Sequence, residues 1–192
     1  MERNPTLDHI RAALAEASAP RLSPLESTGV RASSVLALLY PQDGEVIVVL
    51  TRRAQHLRTH RGEVSFPGGG SDPSDVDLWE TALRESHEEV ALDATKVERI
   101  GELDHLQTVT SRSFIVPFVG AVPERPQLKA NPTEVEQILH VPLRELMADG
   151  VFREERWGLP PLDRRIYFFE LVGDTVWGAT AAMLRNLLTI IG

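Results

Sequence analysis

The sequence predicts one α+β domain in which a mixed β-sheet is sandwiched between α-helices. Three observations lead to this fold class. Short apolar runs typical of strands are interspersed with helical patterns, without the regular alternation of a parallel α/β sheet. Two of these runs are joined by a turn that is typical of a hairpin. The chain has 192 residues, which is enough for one domain with a sizeable core.

The N-terminal part of the chain predicts a helix followed by a linker. Pro5 lies at an early position, where proline is tolerated, and the apolar face comprises Leu7, Ile10, Leu14 and Ala17. Residues 19–30 include two prolines and several small polar residues, which is typical of a linker. We therefore assign residues 1–30 to a helix and linker packed on the domain, and residues 31–192 to the domain itself.

The predicted sheet begins with a hairpin, because residues 34–40 and 46–51 are apolar runs joined by an Asp-Gly turn. The other predicted strands are residues 63–66, 97–109, 114–122, 135–141 and 165–171. Between and after them the patterns predict a turn at residues 110–113, a short helix at 142–148 and a closing helix after Trp177. Pro117 is expected to place part of its strand at a sheet edge or in a bulge.

The run Leu78–Val90 predicts an amphipathic helix with an unusual acidic face. Asp77, followed three residues later by Glu80, is typical of an N-cap with its reciprocal partner. The core-facing stripe comprises Trp79, Leu83, Ser86 and Val90, and His87 faces outward. At about 100° per residue, one arc of the helix holds the carboxylates of Glu85, Glu88 and Glu89. Like charges four residues apart cost a helix roughly 0.2–0.5 kcal/mol, so this face indicates either a bound divalent cation or a solvated acidic patch.

Positive charge is concentrated in residues 52–61, directly before the glycines that precede this helix. These ten residues hold four arginines, two histidines and no acid, in a chain whose formal net charge is −8. Arginine suits phosphate because its planar guanidinium donates two parallel hydrogen bonds. The segment therefore indicates a docking site for an anionic ligand, although a loop of solvated arginines is the alternative. A tight glycine loop is predicted at residues 68–70.

Composition excludes several classes of function. The chain has no cysteine, which excludes disulfides, thiolate zinc sites and cysteine nucleophiles. The negative net charge argues against a general nucleic-acid binder. No apolar run approaches the roughly 20 residues of a membrane span, and the N-terminus lacks the apolar core of a signal peptide. We therefore expect a cytoplasmic protein with no nucleic-acid or membrane partner.

The glycines and the acidic helix together resemble the Nudix box, G-x5-E-x7-R-E-U-x-E-E-x-G-U, in which U is aliphatic. The matching positions are Gly70, Arg84, Glu85, Glu88, Glu89 and Leu92. Three positions depart from the box, namely Val76 for its first Glu, Ser86 for an aliphatic residue and Ala91 for its late Gly. The resemblance implies the Nudix fold and metal binding by the intact Arg-Glu-x-x-Glu-Glu core. If position 91 requires a positive φ, its alanine carries strain.

A second signature overlaps the first in register. It resembles the motif that precedes the Nudix box in coenzyme A pyrophosphatases, and it reads Leu50-Thr51-Arg52-Arg53-Ala54-x-x-x-Arg58-x-x-x-Gly62-x-x-x-Phe66-Pro67-Gly68-Gly69. Residues 72–75, 110–119, 131–136 and 177–181 are also similar to that subfamily. The resemblance extends from about Leu36 onward and leaves the N-terminal helix and linker unmatched.

These resemblances imply metal-dependent hydrolysis of coenzyme A, or its derivatives, to 3′,5′-ADP and 4′-phosphopantetheine. The expected cofactor is Mg²⁺ or Mn²⁺, and the expected metal ligands and catalytic residues are Glu85, Glu88 and Glu89. The expected substrate-binding residues are Arg52, Arg53, Arg58, Gly68 and Gly69. Glu134 is the candidate for a further metal ligand or general base, in competition with Glu136, Glu63 and Asp75. Arg84 is expected to orient a neighbouring glutamate.

Two alternatives remain open on this evidence. The first is a Nudix hydrolase for another substrate, such as ADP-ribose, NADH or a dinucleotide. The second is a non-catalytic Nudix-fold module that binds a nucleotide and regulates a partner. We expect a small-molecule substrate as the partner, and a monomer or homodimer as the oligomeric state.

Overall fold

The computed structural model describes residues 4–30, 32–107, 114–159 and 163–192. Within these residues the chain forms four α-helices and eleven strands. The helices are α1 (Leu7–Glu16), α2 (Leu78–Val90), α3 (Leu143–Leu146) and α4 (Gly178–Ile191). The strands are β1 (Ala32–Gln42), β2 (Glu45–Arg53), β3 (Val64–Ser65), β4 (Gly68–Gly70), β5 (Glu98–Glu102), β6 (Leu106–Gln107), β7 (Phe114–Ala121), β8 (Val135–Pro142), β9 (Phe152–Trp157), β10 (Arg164–Leu171) and β11 (Asp174–Trp177).

Strand β1 lies at the centre of an eight-stranded mixed sheet. It pairs antiparallel with β2 and β4 and parallel with β7. Strands β5 and β6 extend the sheet beyond β7, and β3 and β8 both pair with β2. Strands β9, β10 and β11 form a second, antiparallel sheet. The combination of parallel and antiparallel pairs confirms the predicted mixed sheet.

The predicted hairpin joins β1 to β2. Gln42 pairs with Glu45 across the turn, and the two central residues, Asp43 and Gly44, have φ values of 51° and 79°. Positive φ at both central positions matches the twist of the flanking strands and explains the Asp-Gly sequence.

Side chains along β1 alternate between two hydrophobic cores. Leu36, Leu38 and Tyr40 pack with α2 on one face of the sheet. Ala37 and Leu39 pack on the other face, in the core that includes α1 and α4. Helices on both faces of a mixed sheet confirm the α+β class. Among the described residues, no helix has both the length and the apolar character needed to cross a membrane.

The N-terminal helix packs against β5 and α4. The side chains that it buries are Leu7, Ile10 and Leu14, three of the four positions predicted for its apolar face. The division of the chain at residue 30 stays a prediction.

Strands β9 and β11 were missed by the sequence-based prediction. Four of the six residues of β9 are charged, so the strand lacks the alternating apolar signal and depends on pairing with β10. The strand predicted at residues 97–109 is divided into β5 and β6. Its last two residues and the turn predicted at 110–113 lie outside the described residues.

The expectation for Pro117 was partly wrong. The residue lies inside β7, which is paired on both sides, and not at a sheet edge. On one side β5 pairs with residues 118–121 and β6 with residues 114–115. Pro117 therefore lies between two short partner strands, where a missing N–H does not interrupt either ladder.

Candidate active site

Helix α2 presents the predicted acidic residues from a well-capped start. It spans Leu78–Val90, as predicted. Asp77 Oδ1 accepts a hydrogen bond from the N–H of Glu80 at 2.8 Å, and Glu80 Oε2 accepts one from the N–H of Val76 at 2.6 Å. The first bond satisfies a backbone donor that the first turn leaves without a partner, and the second ties the Glu80 side chain to the residue before the N-cap. They fix where the helix begins and therefore which side chains face the sheet.

Glu89 is a buried carboxylate at the centre of the site. The residue is 3% exposed. Its Oε2 accepts a hydrogen bond of 3.3 Å from the Gly68 N–H, and its Oε1 lies 3.7 Å from Arg53 Nη1. Burial raises the pKa of Glu89 to about 7, and the negative charges of Glu134 and Glu85 contribute in the same direction. A bound cation would offset the free-energy cost of burying the ionised carboxylate.

Arg84 orients the neighbouring acids through its guanidinium. Its Nη1 donates to Glu85 Oε1 at 2.8 Å and to Glu88 Oε1 at 3.2 Å. Its Nε donates to Asp75 Oδ1 at 2.9 Å, and its Nη2 donates to the Gly70 carbonyl oxygen at 3.1 Å. The pKa of Asp75 lies well below its usual range, and the hydrogen bonds from Arg84 are the largest cause of this lowering. The contacts agree with the orienting role expected for Arg84.

The predicted glycine loop is a strand, β4, which lies directly against the carboxylates. Gly68 has a φ of 150°, and a Cβ there would collide with the carbonyl oxygen of Ser34 in β1. A Cβ on Gly69 would collide with the carboxylate of Glu85. Gly68 is therefore required by the close approach of the β1 backbone, whereas a side chain at Gly69 would displace the Glu85 carboxylate from the site.

Glu134 faces the same acidic cluster, whereas its competitor Glu136 does not. The Asn131 N–H donates to the Glu89 carbonyl oxygen at 2.8 Å, which ties the loop before β8 to the end of α2. The half-buried Glu134 then lies close enough for its charge to raise the pKa values of Glu85 and Glu89. Glu136 instead accepts a hydrogen bond from Gln55 Nε2 at 3.3 Å.

The three predicted substrate-binding arginines are not brought together. Arg53 points toward Glu89, and its buried Nε has no hydrogen-bond partner among the described residues. Arg52 points to the other face of β2, where its Nε and Nη2 donate to Asp174 at 2.8 and 2.6 Å. Arg58 is exposed and makes no ion pair within the described part of the chain.

The acidic residues form an incomplete ligand set that suits a hard cation. Within the described ranges, no three acidic or histidine side chains converge closely enough to form a complete metal cage. Mg²⁺ and Mn²⁺ do not require one, because such ions are usually held by one or two carboxylates, with waters and substrate phosphates as the other ligands. Glu85, Glu88 and Glu89 supply hard carboxylate oxygens, and the buried Glu89 is only loosely paired, with Arg53 Nη1 3.7 Å away, so the residues present fit a divalent cation.

Two departures from the Nudix box have structural explanations. Ala91 ends α2 in the left-handed region, with φ 55° and ψ 35°, and its N–H donates to the His87 carbonyl oxygen, so the expected strain is present. Val76 is 87% exposed and reaches no site residue, whereas the adjacent Asp75 anchors Arg84. This role was not predicted from the sequence, because Asp75 precedes the helix and helical periodicity does not indicate where its side chain points.

Known proteins resemble this chain over most of its length. Residues 30–162 match the family model of the NUDIX domain. The chain is 38% identical over 143 residues to the uncharacterised Nudix hydrolase NudL of Yersinia pestis, covering 74% of this chain and 71% of that protein.

Solved structures show the same fold. A Nudix hydrolase from M. smegmatis, RenU, has a TM-score of 0.50 at 20% identity, over 60% of this chain and 73% of that one. A MutT/nudix family protein from Enterococcus faecalis has a TM-score of 0.53 at 16% identity, over 97% of this chain and 67% of that one.

Proposed function

The chain belongs to the Nudix hydrolase family, and we propose that it hydrolyses the diphosphate bond of coenzyme A or its derivatives. The family acts on nucleoside diphosphate derivatives and generally uses divalent metal ions. The coenzyme A assignment rests on the arginine-rich signature in residues 50–69. The products are 3′,5′-ADP and 4′-phosphopantetheine, or its acylated form. We further propose that the enzyme acts in the cytoplasm, as a monomer or homodimer.

The acidic residues divide into a metal-binding group and a base. Glu85, Glu88 and Glu89 are the proposed ligands of Mg²⁺ or Mn²⁺. When bound, such an ion offsets the charge of the diphosphate and lowers the pKa of the attacking water. Glu134 is the proposed further ligand or general base. As a base it accepts a proton from the water while a new P–O bond forms and the bond to the bridging oxygen breaks.

One observation carries the proposal that the ligand is a phosphate. Arg53 places a half-buried guanidinium beside Glu89, and its buried Nε has no partner within the described residues. A buried donor without an acceptor is costly, and a phosphate oxygen is an acceptor that a guanidinium binds well. Gly68 and Gly69 are the proposed substrate-binding glycines, because their lack of side chains lets the β4 backbone lie directly against the carboxylates of Glu85 and Glu89.

A substrate comparison tests the proposed function. The purified protein is incubated with coenzyme A, ADP-ribose or NADH, each with Mg²⁺ or Mn²⁺, and the products are separated by chromatography. We expect 3′,5′-ADP from coenzyme A at a higher kcat/KM than for either other substrate, and no product when the metal is chelated. Absence of 3′,5′-ADP with both metals would contradict the proposal, and faster cleavage of ADP-ribose or NADH would favour the alternative substrates.

A further inference from the structure

A cleft of about 620 Å³ opens on the face of β2 that points away from the carboxylates. One wall is formed by the end of β2 and the residues before β3. The other wall is formed by the small β9–β11 sheet. The side chains that matter for its chemistry are Gln55 and Arg61 on the first wall, and Trp157, Phe168 and Trp177 on the second. Its volume is in the range of small-molecule sites.

The second wall is an aromatic platform, defined as Trp157, Phe168 and Trp177. Phe168 and Trp177 are cross-strand partners whose rings lie nearly parallel, at 14° with centroids 6.5 Å apart. The Trp157 and Trp177 centroids are 6.2 Å apart, with ring planes tilted by 36°, which is within contact range for aromatic pairs. Because these rings already contact one another, a planar ligand would have to stack on an exposed face of Trp157 or Trp177 and not between them. Trp157 is 49% exposed and Trp177 is 38% exposed, so ring surface is available.

The first wall supplies positive charge and hydrogen-bond donors. Arg61 is exposed and makes no ion pair among the described residues. Arg52 uses its Nε and Nη2 for Asp174, which leaves its Nη1 for another acceptor. The acidic Glu63 of this wall is 2.9 Å from His60 Nδ1. An aromatic surface opposite arginines suits a ring system that carries an anionic group.

The cleft and the carboxylate site are joined through β2. Arg52 borders the cleft, Arg53 borders Glu89, and consecutive Cα atoms are only about 3.8 Å apart. The Gly62 N–H and the Arg53 carbonyl oxygen form a hydrogen bond of 3.0 Å, which ties the end of β2 to the residues before β3 within the first wall. The two sites therefore lie at the same end of β2 on opposite faces of the sheet, and a substrate that occupies both must extend around that strand end.

We propose that this cleft binds the purine base of the substrate nucleotide, stacked on the aromatic platform, with Arg61 binding a phosphate of the same nucleotide. The inference rests on the proposed function, because it takes the substrate to be an adenosine diphosphate derivative. The other half of coenzyme A, 4′-phosphopantetheine, is a flexible chain without an aromatic ring and gains little from stacking on an indole ring. A purine has two π-faces and hydrogen-bonding edges, which aromatic stacking and the Gln55 amide match.

Tryptophan fluorescence provides the test, because two of the three tryptophans in the chain lie on the platform. The third, Trp79, packs on Phe118. The full-length protein is titrated without divalent metal with 3′,5′-ADP, ribose 5-phosphate or 4′-phosphopantetheine, under excitation that adenine does not absorb. We expect quenching by 3′,5′-ADP, with about tenfold weaker binding in Trp157→Ala. Trp157→Phe should restore most of the affinity, because it restores a stacking surface.

The matched control is Phe152→Leu, which changes an exposed aromatic residue of the same strand that does not line the cleft. It should bind 3′,5′-ADP as the unmodified protein does. Unchanged affinity in Trp157→Ala would overturn the inference. Quenching by 4′-phosphopantetheine in preference to 3′,5′-ADP would also overturn it. A dimer that dissociates in Trp157→Ala while nucleotide affinity is unchanged would identify the cleft as a contact between copies, and would overturn it too.

The outcome for the cleft is separable from that for the proposed function. If adenosine nucleotides quench the fluorescence but coenzyme A is not cleaved, base binding in the cleft is supported and coenzyme A is contradicted as the substrate. If coenzyme A is cleaved with the same KM by Trp157→Ala and by the unmodified protein, the proposed function is supported and base binding in the cleft is contradicted.

Discussion

Arg52 and Arg53 are neighbours in sequence, but they belong to two different environments. Arg53 points into the carboxylate site, where its Nη1 is 3.7 Å from the buried Glu89 and its Nε lacks a partner among the described residues. Arg52 points into the aromatic cleft, where it forms a two-point ion pair with Asp174. The first arginine is left with unused hydrogen-bonding capacity, and the second is largely satisfied within the protein.

The difference follows from strand geometry. Successive side chains of a strand point to opposite faces of its sheet, so neighbouring arginines of β2 face two different sites. The carboxylate site concentrates buried negative charge, which suits chemistry on a diphosphate. The aromatic cleft offers ring surface with little unpaired charge, which suits binding of the substrate's base. We expect changes on the carboxylate face to affect turnover, and changes on the cleft face to affect stability or substrate affinity.

The largest effect is expected for Glu89→Gln. The amide removes the charge that a divalent cation requires, so kcat should fall by about a thousandfold, corresponding to about 4 kcal/mol. The melting temperature should not decrease, because the ionised carboxylate is buried at a cost that its raised pKa reflects. Steady-state kinetics and calorimetry on the same preparation measure both quantities. A variant that lost stability and activity together would indicate a structural role.

The pair Arg53→Gln and Arg52→Gln tests whether one face of β2 affects turnover and the other affects stability or substrate affinity. Arg53→Gln should lower kcat/KM by about a hundredfold, because it removes a charged contact to the substrate phosphate. Its effect on the free energy of unfolding should be below about 1 kcal/mol, since the Arg53 Nε makes no bond that is lost.

Arg52→Gln should show the reverse pattern. It should cost about 1–3 kcal/mol of stability through the loss of the Asp174 pair and should leave kcat within about threefold. Denaturant unfolding and kinetics of both variants provide the comparison. Equal loss of kcat in the two variants would show that both arginines act in one site.

Asp75→Asn tests whether Asp75 anchors Arg84 on the carboxylate face. Loss of the anchor should lower kcat by about tenfold, as for other residues that orient ligands indirectly. The folded-state pKa of Asp75 lies below its usual value, so its contribution to stability is present above about pH 4 and is lost as the pH falls through the folded-state pKa. The melting temperature of the unmodified protein should exceed that of the variant at neutral pH, and the gap should narrow in acid. A gap that widened in acid would contradict this account.

The smallest effect is expected for Ala91→Gly, which touches neither face. Ala91 has a φ of 55°, and glycine adopts that conformation without steric cost, so the variant should gain about 1 kcal/mol of stability. Its kcat should not change. Denaturant unfolding should show a higher midpoint at the same m-value, whereas a lower midpoint would mean that the Ala91 methyl group makes a favourable contact.

The features that were predictable from sequence are those encoded by local periodicity. The bounds of α2, its cap at Asp77 and the hairpin turn at Asp43 all depend on residues a few positions apart. The charged strand β9 has no such signal, because its place is decided by pairing with β10. The anchoring of Arg84 by Asp75 and the opposite directions of Arg52 and Arg53 depend on tertiary packing, which spacing along the chain does not specify.

The most direct test of the division between chemistry and recognition is a comparison of kcat and KM for coenzyme A in Glu89→Gln and Trp157→Ala. We expect that Glu89→Gln lowers kcat by about a thousandfold while 3′,5′-ADP binds as tightly as before or more tightly. We expect that Trp157→Ala raises KM by about tenfold with kcat little changed. If both variants lowered kcat and left KM unchanged, chemistry and recognition would not lie on different faces of β2, which would contradict the proposed division.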